Sequence, residues 1–296
     1  MIVSANQRGI FLSHVTQRKT LCREHFELVL RLDHFPDCAP GQFVQILCRD
    51  PADLRPSTSA MLRRPFSVGG LRRESNHVDI NIIGRVIGPG TAWLDSRKEG
   101  DAVDILGPLG RPFTMPQRDA QSFLVAGGVG LPPIRWLCEK LREYGSSCEF
   151  FFGAQTSDLI PFELIEKPST DGVPSSCAAL FNHPGVRTAI TTDDGSVGMR
   201  GRITDALVRR LDRSDTGPRL RVFACGPEPM LEAVAALCEL RKVACEVALE
   251  RVMGCGMATC QSCVVPVKDS VNDWKYALCC RDGPVFDAGK VVWGRH

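Results

Sequence analysis

The chain is predicted to be a multidomain β plus α/β protein: an antiparallel β-barrel, a parallel α/β layer and a small cysteine-bearing C-terminal domain. Three observations predict this. Short strand-like runs broken by Gly- and Pro-containing turns fill residues 1–114, strand and helix periodicities alternate through residues 115–244, and residues 245–296 crowd cysteines into a stretch too short for a large core. At 296 residues the chain also exceeds the usual single-domain size of about 200.

The first part carries H-F-E-L-V-L-R-L at 25–32, G-Q-F-V-Q-I-L at 41–47, H-V-D-I-N-I-I at 77–83 and D-A-V-D-I-L at 101–106. Their spacing and the turns between them suit an antiparallel barrel. Residues 52–63, A-D-L-R-P-S-T-S-A-M-L-R, have no apolar period and read as an inserted loop. After Pro116 the texture changes. S-F-L-V-A leads into G-G-V-G and then I-R-W-L-C-E-K-L-R-E, where Ile134, Leu137, Cys138 and Leu141 recur at helical spacing. C-E-F-F-F-G-A, the shorter V-R-T-A-I-T-T and L-R-V-F-A-C-G are further strands, and P-M-L-E-A-V-A-A-L-C-E-L is a further helix. Such alternation predicts a parallel sheet.

Lys plus Arg number 36 against 34 Asp plus Glu, a formal charge of +2, which gives no overall electrostatic basis for binding nucleic acid. The longest apolar runs are strand-sized, well short of the roughly 20 residues that cross a bilayer, so no membrane partner is expected. The fourteen cysteines are unevenly spread, and the opening residues show neither a basic and apolar leader nor a cleavage-like site. A reducing cytoplasmic setting is expected.

In R-V-M-G-C-G-M-A-T-C-Q-S-C-V-V, Cys255, Cys260 and Cys263 are separated by four and then two residues, and a distant cysteine follows at Cys279 or Cys280. This is the spacing of a plant-type [2Fe-2S] centre, whose loop wraps the sulfurs with backbone N–H groups. Gly254 and Gly256 permit the tight path. A zinc site of four cysteines more often presents two short C-x2-4-C pairs, and only one is obvious here. Spacing alone leaves Cys279 and Cys280 open.

Arg64 and Ser67 of R-R-P-F-S-V stand where a guanidinium could bridge phosphate oxygens and a hydroxyl could bond a flavin. I-G-P-G-T offers Gly88 and Gly90 for a turn, with Thr91 at a helix start suited to a pyrophosphate. Gly127, Gly128 and Gly130 of G-G-V-G follow a strand and permit close approach by a nucleotide or flavin, although the G-x-G-x-x-G fingerprint is absent. Cys225 and Gly226 end another strand at the sheet edge where ligands bind, and Cys225 could approach a nicotinamide or fill core. Asp193 and Asp194 of T-T-D-D-G-S-V-G could face ribose hydroxyls and repel a 2'-phosphate. His14, His25, His34, His77, His183 and His296 form no H-E-x-x-H pair, and no G-x-S-x-G elbow occurs.

Together these motifs resemble the electron-transfer subunits of the heterotetrameric, NAD-dependent class of dihydroorotate dehydrogenase, within the ferredoxin-NADP reductase-like group. The resemblance rests on A-P-G-Q-F-V, R-R-P-F-S, V-I-G-P-G-T, L-G-P-L-G, G-G-V-G-L-P-P, T-D-D-G-S-V-G, A-C-G-P-E-P-M, L-E-R-V-M-G-C-G-M-A-T-C-Q-S-C-V and C-R-D-G-P-V-F, in the family's order over nearly the whole chain. It implies an FAD barrel, an NAD domain and a [2Fe-2S] domain, working beside an FMN-containing catalytic subunit in a tetramer of two plus two chains. It implies FAD contacts from Arg64, Pro65, Phe66 and Ser67, and from Ile83, Gly84, Arg85, Gly90 and Thr91. It further implies Cys280 as the fourth cluster ligand. The sequence departs from the family's usual pattern at Pro132, at Gly84 near a common tyrosine, and in the 52–63 insert.

The implied activity passes electrons from the partner's FMN through [2Fe-2S] and FAD to NAD+ in pyrimidine synthesis, since FAD handles two electrons or one whereas the cluster carries one. The alternative is a flavin and iron-sulfur subunit of an NAD(P)-linked ferredoxin, sulfide or hydrogenase-type oxidoreductase; such relatives tend to carry aspartate where this chain has Cys255.

Overall fold

In a computed structural model of the chain, the residues described are 8–51, 61–179, 186–213, 219–270 and 273–295. Most of the 52–63 insert, His183 and His296 lie outside them.

Six strands close into an antiparallel barrel: β1 (Gly9–Cys22), β2 (His25–Leu32), β3 (Phe43–Leu47), β4 (Arg64–Arg73), β5 (Val78–Arg85) and β6 (Ala102–Leu109). Their order around the barrel is β1-β2-β5-β4-β3-β6. Period-2 sequence drives closure. Phe26, Leu28, Leu30 and Leu32 of β2 point inward with Val44, Ile46, Ile80 and Ile82 to form the barrel core. β1 was not legible as a strand, because its far half, T-Q-R-K-T, is polar and its pairing with β2 is broken by register shifts at Val15/Gln17 and Thr20/Cys22. The short helix α1 (Pro89–Asp95) leads from β5 towards β6, with Pro89 in its first turn where no N–H is needed.

The second layer is built from β7 (Gln121–Gly127), α2 (Leu131–Tyr144), β8 (Ser147–Ala154), a small pair β9 (Glu163–Leu164) and β10 (Ala178–Ala179), β11 (Arg187–Thr192), β12 (Met199–Arg200), α3 (Ile203–Asp212), β13 (Leu220–Cys225), α4 (Glu228–Leu240) and β14 (Ala244–Ala248). The chain then forms the hairpin β15 (Val264–Lys268) and β16 (Trp274–Leu278), a single turn α5 (Cys279–Asp282) and β17 (Val285–Asp287). The main sheet has seven strands in the order β12-β11-β8-β7-β13-β14-β17. All its pairs are parallel except the last, where β17 runs antiparallel to β14.

Both faces of this sheet are covered, so its strands are apolar throughout. Phe150 and Phe152 face α2, and Phe151 between them faces α3 and α4. Each of these fully buried rings stabilises the fold by about 2–3 kcal/mol. Two contacts lock the layers together. Trp136 of α2 enters the barrel core, and Phe43, Leu106 and Leu109 of the barrel join the core that holds Cys263, Cys279 and Cys280. Residue 245 falls inside β14, and β17 returns to the same sheet, so the C-terminal segment is anchored at both ends. None of the fourteen cysteines forms a disulfide. Among the described residues no helix is long and apolar enough to cross a membrane.

Candidate functional site

The loop after β14 folds around its own sulfurs. Gly256, Ala258 and Gln261 take φ values of 71°, 68° and 55°, the left-handed turns that keep the path tight. This curvature aims backbone N–H groups inward. Met257 N donates to Cys255 Sγ at 3.3 Å, Cys260 N to the same sulfur at 3.4 Å, and Ala258 N to Cys280 Sγ at 3.2 Å. Cys280 N donates to Cys263 Sγ at 3.4 Å, so α5 brings Cys263 and Cys280 side by side. The Ser262 hydroxyl and backbone, followed by Cys255, hold the Cys260 thiol down at about 6, whereas burial pushes the Cys280 thiol up to about 12. Ligation by metal removes such a buried proton.

Cys279 behaves differently. Its Sγ donates to Leu249 O at 3.3 Å, its N–H donates to Cys263 O at 2.8 Å, and the residue is fully buried. Backbone contacts therefore set Cys260 beside Cys255 and Cys280 beside Cys263, and Cys279 turns from both pairs. Among the described residues no three His, Cys, Asp or Glu side chains gather tightly enough for a single metal ion. A two-iron centre bridged by sulfides spreads its thiolates over two metals, and the N–H groups directed at sulfur suit its negative charge.

On the barrel, Pro65 and Ser67 lie opposite Gln45 and Phe43 on the outer face, whereas Phe66 points into the core. Phe66 thus offers an outside ligand only its backbone. The Arg64 guanidinium donates to Leu62 O at 2.8 Å and has no carboxylate partner among the described residues. A β-carbon at Gly90 would stand 3.5 Å from Arg64 Cγ, which brings the strand and the start of α1 together. The Thr91 hydroxyl closes its own turn, accepting from Ile87 N at 2.9 Å and Gly88 N at 3.1 Å. Arg85 pairs with Glu24 at 2.8 Å, and Ile83 is buried. At Gly84 a β-carbon would meet the Phe26 ring at 2.6 Å, so the buried phenylalanine takes the space that a larger residue would need. Pro132 occupies the first turn of α2, where its ring is tolerated.

At the carboxyl edge of the sheet, β7 and β13 are neighbours and their glycine turns pack on each other. A β-carbon at Gly130 would lie 2.1 Å from Cys225 O, one at Gly127 2.7 Å from Met230 Sδ, and one at Gly226 2.7 Å from Met230 Cε. Gly128 has open space around it and a φ of 52°. Cys225 is 3% exposed and burial pushes its thiol well up. Asp194 Oδ1 accepts from Ser196 N at 3.0 Å and Ser196 Oγ at 2.7 Å, which lowers its pKa. Asp193 is exposed beside it.

Three polar groups at this junction escaped the sequence reading. Glu27 accepts from Asn81 Nδ2 at 2.7 Å and Arg135 Nη1 at 2.8 Å, tying the barrel to α2. Arg251 forks onto Glu228 at 3.0 and 2.9 Å, tying the cysteine loop to α4. Gln45 of β3 is buried against the loop itself. No local motif marks them, because each depends on a distant partner.

Residues 250–292 match the family profile for the iron-sulfur cluster binding domain of dihydroorotate dehydrogenase B, and residues 124–236 match the oxidoreductase NAD-binding domain. The chain is 36% identical over 255 residues to the dihydroorotate dehydrogenase B (NAD(+)) electron transfer subunit of Geobacillus kaustophilus strain HTA426, covering 86% of each protein. It is 34% identical to the same subunit of Geobacillus sp. strain WCH70, covering 94% of this chain and 96% of that one. Among solved structures, it resembles the NADH-dependent reduced ferredoxin-NADP oxidoreductase described for flavin-based electron bifurcation, with TM-score 0.74, 25% identity, and coverage of 99% of this chain and 92% of that one.

Proposed function

The chain belongs to the family of dihydroorotate dehydrogenase B electron-transfer subunits, and on that premise we propose how its residues carry electrons from a dihydroorotate-oxidising partner to NAD+ in pyrimidine synthesis. The observation that carries this reading is the joining of a four-thiol loop to both the barrel and the nucleotide-binding sheet. When bound, FAD and a [2Fe-2S] centre supply the conversion between hydride and single electrons.

Cys255, Cys260, Cys263 and Cys280 hold the cluster in this proposal, and the loop N–H groups stabilise its charge. Arg64, the Gly90 turn, Pro65, Ser67 and the Phe66 backbone face the FAD, with Ile83, Gly84, Arg85 and Thr91 shaping the wall behind it. Gly128 leaves room for the nicotinamide nucleotide, while Gly127, Gly130, Gly226 and Cys225 build the edge on which it lies. The partner is an FMN-containing catalytic subunit in a tetramer of two plus two. Val252, 89% exposed, and Met257, 39% exposed, lie on the same loop as the exposed Cys260 and offer the partner an apolar contact. A reducing cytoplasmic setting suits these thiols.

Removing Arg64 deletes a charge-assisted contact of about 1.5–3 kcal/mol. Arg64→Ala is therefore expected to weaken FAD binding by about tenfold to a hundredfold, read by flavin fluorescence titration; an unchanged affinity places the phosphates elsewhere.

Asp194 is already bonded to Ser196, which leaves Asp193 the more available carboxylate for a ribose 2'-hydroxyl. NADH should reduce the bound flavin faster than NADPH in anaerobic stopped flow, with the cluster reduced afterwards. Asp193→Asn should narrow that preference more than Asp194→Asn. Equal rates with both nucleotides, or a flavin that NADH leaves oxidised, would contradict the reading.

A further inference from the structure

The flavin strand pair and the cysteine loop meet at one side chain. Gln45 lies opposite Pro65 across the β3–β4 pair, and directly opposed residues project to the same face. Its neighbours Val44 and Ile46 enter the barrel core, so Gln45 projects outward. It is nevertheless 0% exposed, because the cysteine loop covers it.

The cover is close and polar. Gln45 Nε2 donates to Met253 Sδ at 3.6 Å, two residues before Cys255. At Gly256 a β-carbon would stand 2.6 Å from Gln45 Cγ and 2.8 Å from Nε2, so the loop backbone rests directly on the carboxamide. The other end of that amide is unpaired, since Oε1 is buried and has no partner among the described residues. An orphaned buried acceptor costs about 1–3 kcal/mol. An apolar side chain of similar length would fill the same gap without this cost.

From this juxtaposition we propose that Gln45 is a positioning residue for electron exchange, seating the cysteine loop against the flavin strand pair and placing its amide dipole beside the centre the loop holds. The inference rests on the function proposed above. Two consequences separate it from simple packing. A carboxyl group in this buried place stays neutral until the pH is raised, and once ionised it adds negative charge beside an anionic cluster and opposes its reduction. An apolar replacement fills the gap but lacks the bond to Met253 Sδ, which frees the loop to shift relative to the strand pair without removing a ligand.

The test uses the full chain purified with FAD and cluster bound, comparing Gln45→Leu and Gln45→Glu with the native protein. Iron, sulfide and flavin contents are measured on the same samples as an electron paramagnetic resonance redox titration and the rate of cluster reduction after NADH mixing. With contents equal to native, Gln45→Glu is expected to shift the cluster midpoint to lower potential as the pH is raised into the alkaline range where the buried carboxyl ionises. Gln45→Leu is expected to slow flavin-to-cluster transfer by about tenfold. Native potential, line shape and rate in both variants would overturn the proposal and leave Gln45 a packing residue. If Gln45→Leu loses its cofactors, the near-isosteric Gln45→Glu decides through its potential. A native chain that binds neither flavin nor cluster would instead overturn the functional reading itself.

Discussion

Cys280→Ser is expected to strip the chain of its [2Fe-2S] centre, and Cys279→Ser to leave the centre near its native content. The two thiols are adjacent in sequence but face different surroundings. The Cys280 sulfur accepts the Ala258 N–H and sits against Cys263, whereas Cys279 donates to the Leu249 carbonyl. A serine hydroxyl is a poor substitute for a soft thiolate on iron, but it can repeat a hydrogen bond to a carbonyl. Cys279→Ser should therefore cost only about 1 kcal/mol of stability through imperfect packing. Cys280→Ser should also loosen the loop, because metal binding supplies folding free energy in small ligand-held segments. β17 should stay paired with β14, since that pairing is built from backbone bonds beyond the loop. Iron and sulfide analysis with electron paramagnetic resonance reads the outcome, and equal cluster content in both variants would defeat the assignment.

The barrel and the sheet were legible in sequence wherever one physical pattern dominated. In β2 the inward Phe26, Leu28, Leu30 and Leu32 alternate with other residues, and in β8 a continuous apolar run signals burial on both faces. The pattern fails where the determinants are non-local. β1 is bulged and polar over its far half, and β17 is only three residues long and exists by pairing with β14. The glycines of the two strand-to-helix turns were visible as glycines, but not the reason for them. Gly130 needs its missing side chain because Cys225 O lies where a β-carbon would be, a contact between segments far apart in the chain. The cysteine spacing was the strongest local signal, yet spacing could not orient two adjacent thiols. The backbone around α5 does so, by turning Cys280 to the loop and Cys279 to Leu249.

In the proposed route, electrons cross between partner and NAD+ by way of the cysteine loop. Cys260 is exposed and shares its loop with the exposed Val252 and Met257, which makes this loop surface the side proposed for the partner. The proposed FAD and nicotinamide positions lie on the barrel and the main sheet rather than on this loop. Cys260→Ser should therefore separate two activities that the native complex performs together. Changes to groups that merely support a metal ligand cost about 10–100-fold in affinity or activity, so loss of a ligand should cost about a hundredfold or more. The direct measurement reconstitutes the Cys260→Ser chain with its dihydroorotate-oxidising partner, verifies the complex by size-exclusion chromatography, and records both reactions. NADH-dependent reduction of a small dye is predicted to stay close to native, while dihydroorotate-dependent reduction of NAD+ falls to background; full coupled activity in an assembled, cluster-free complex would contradict the account.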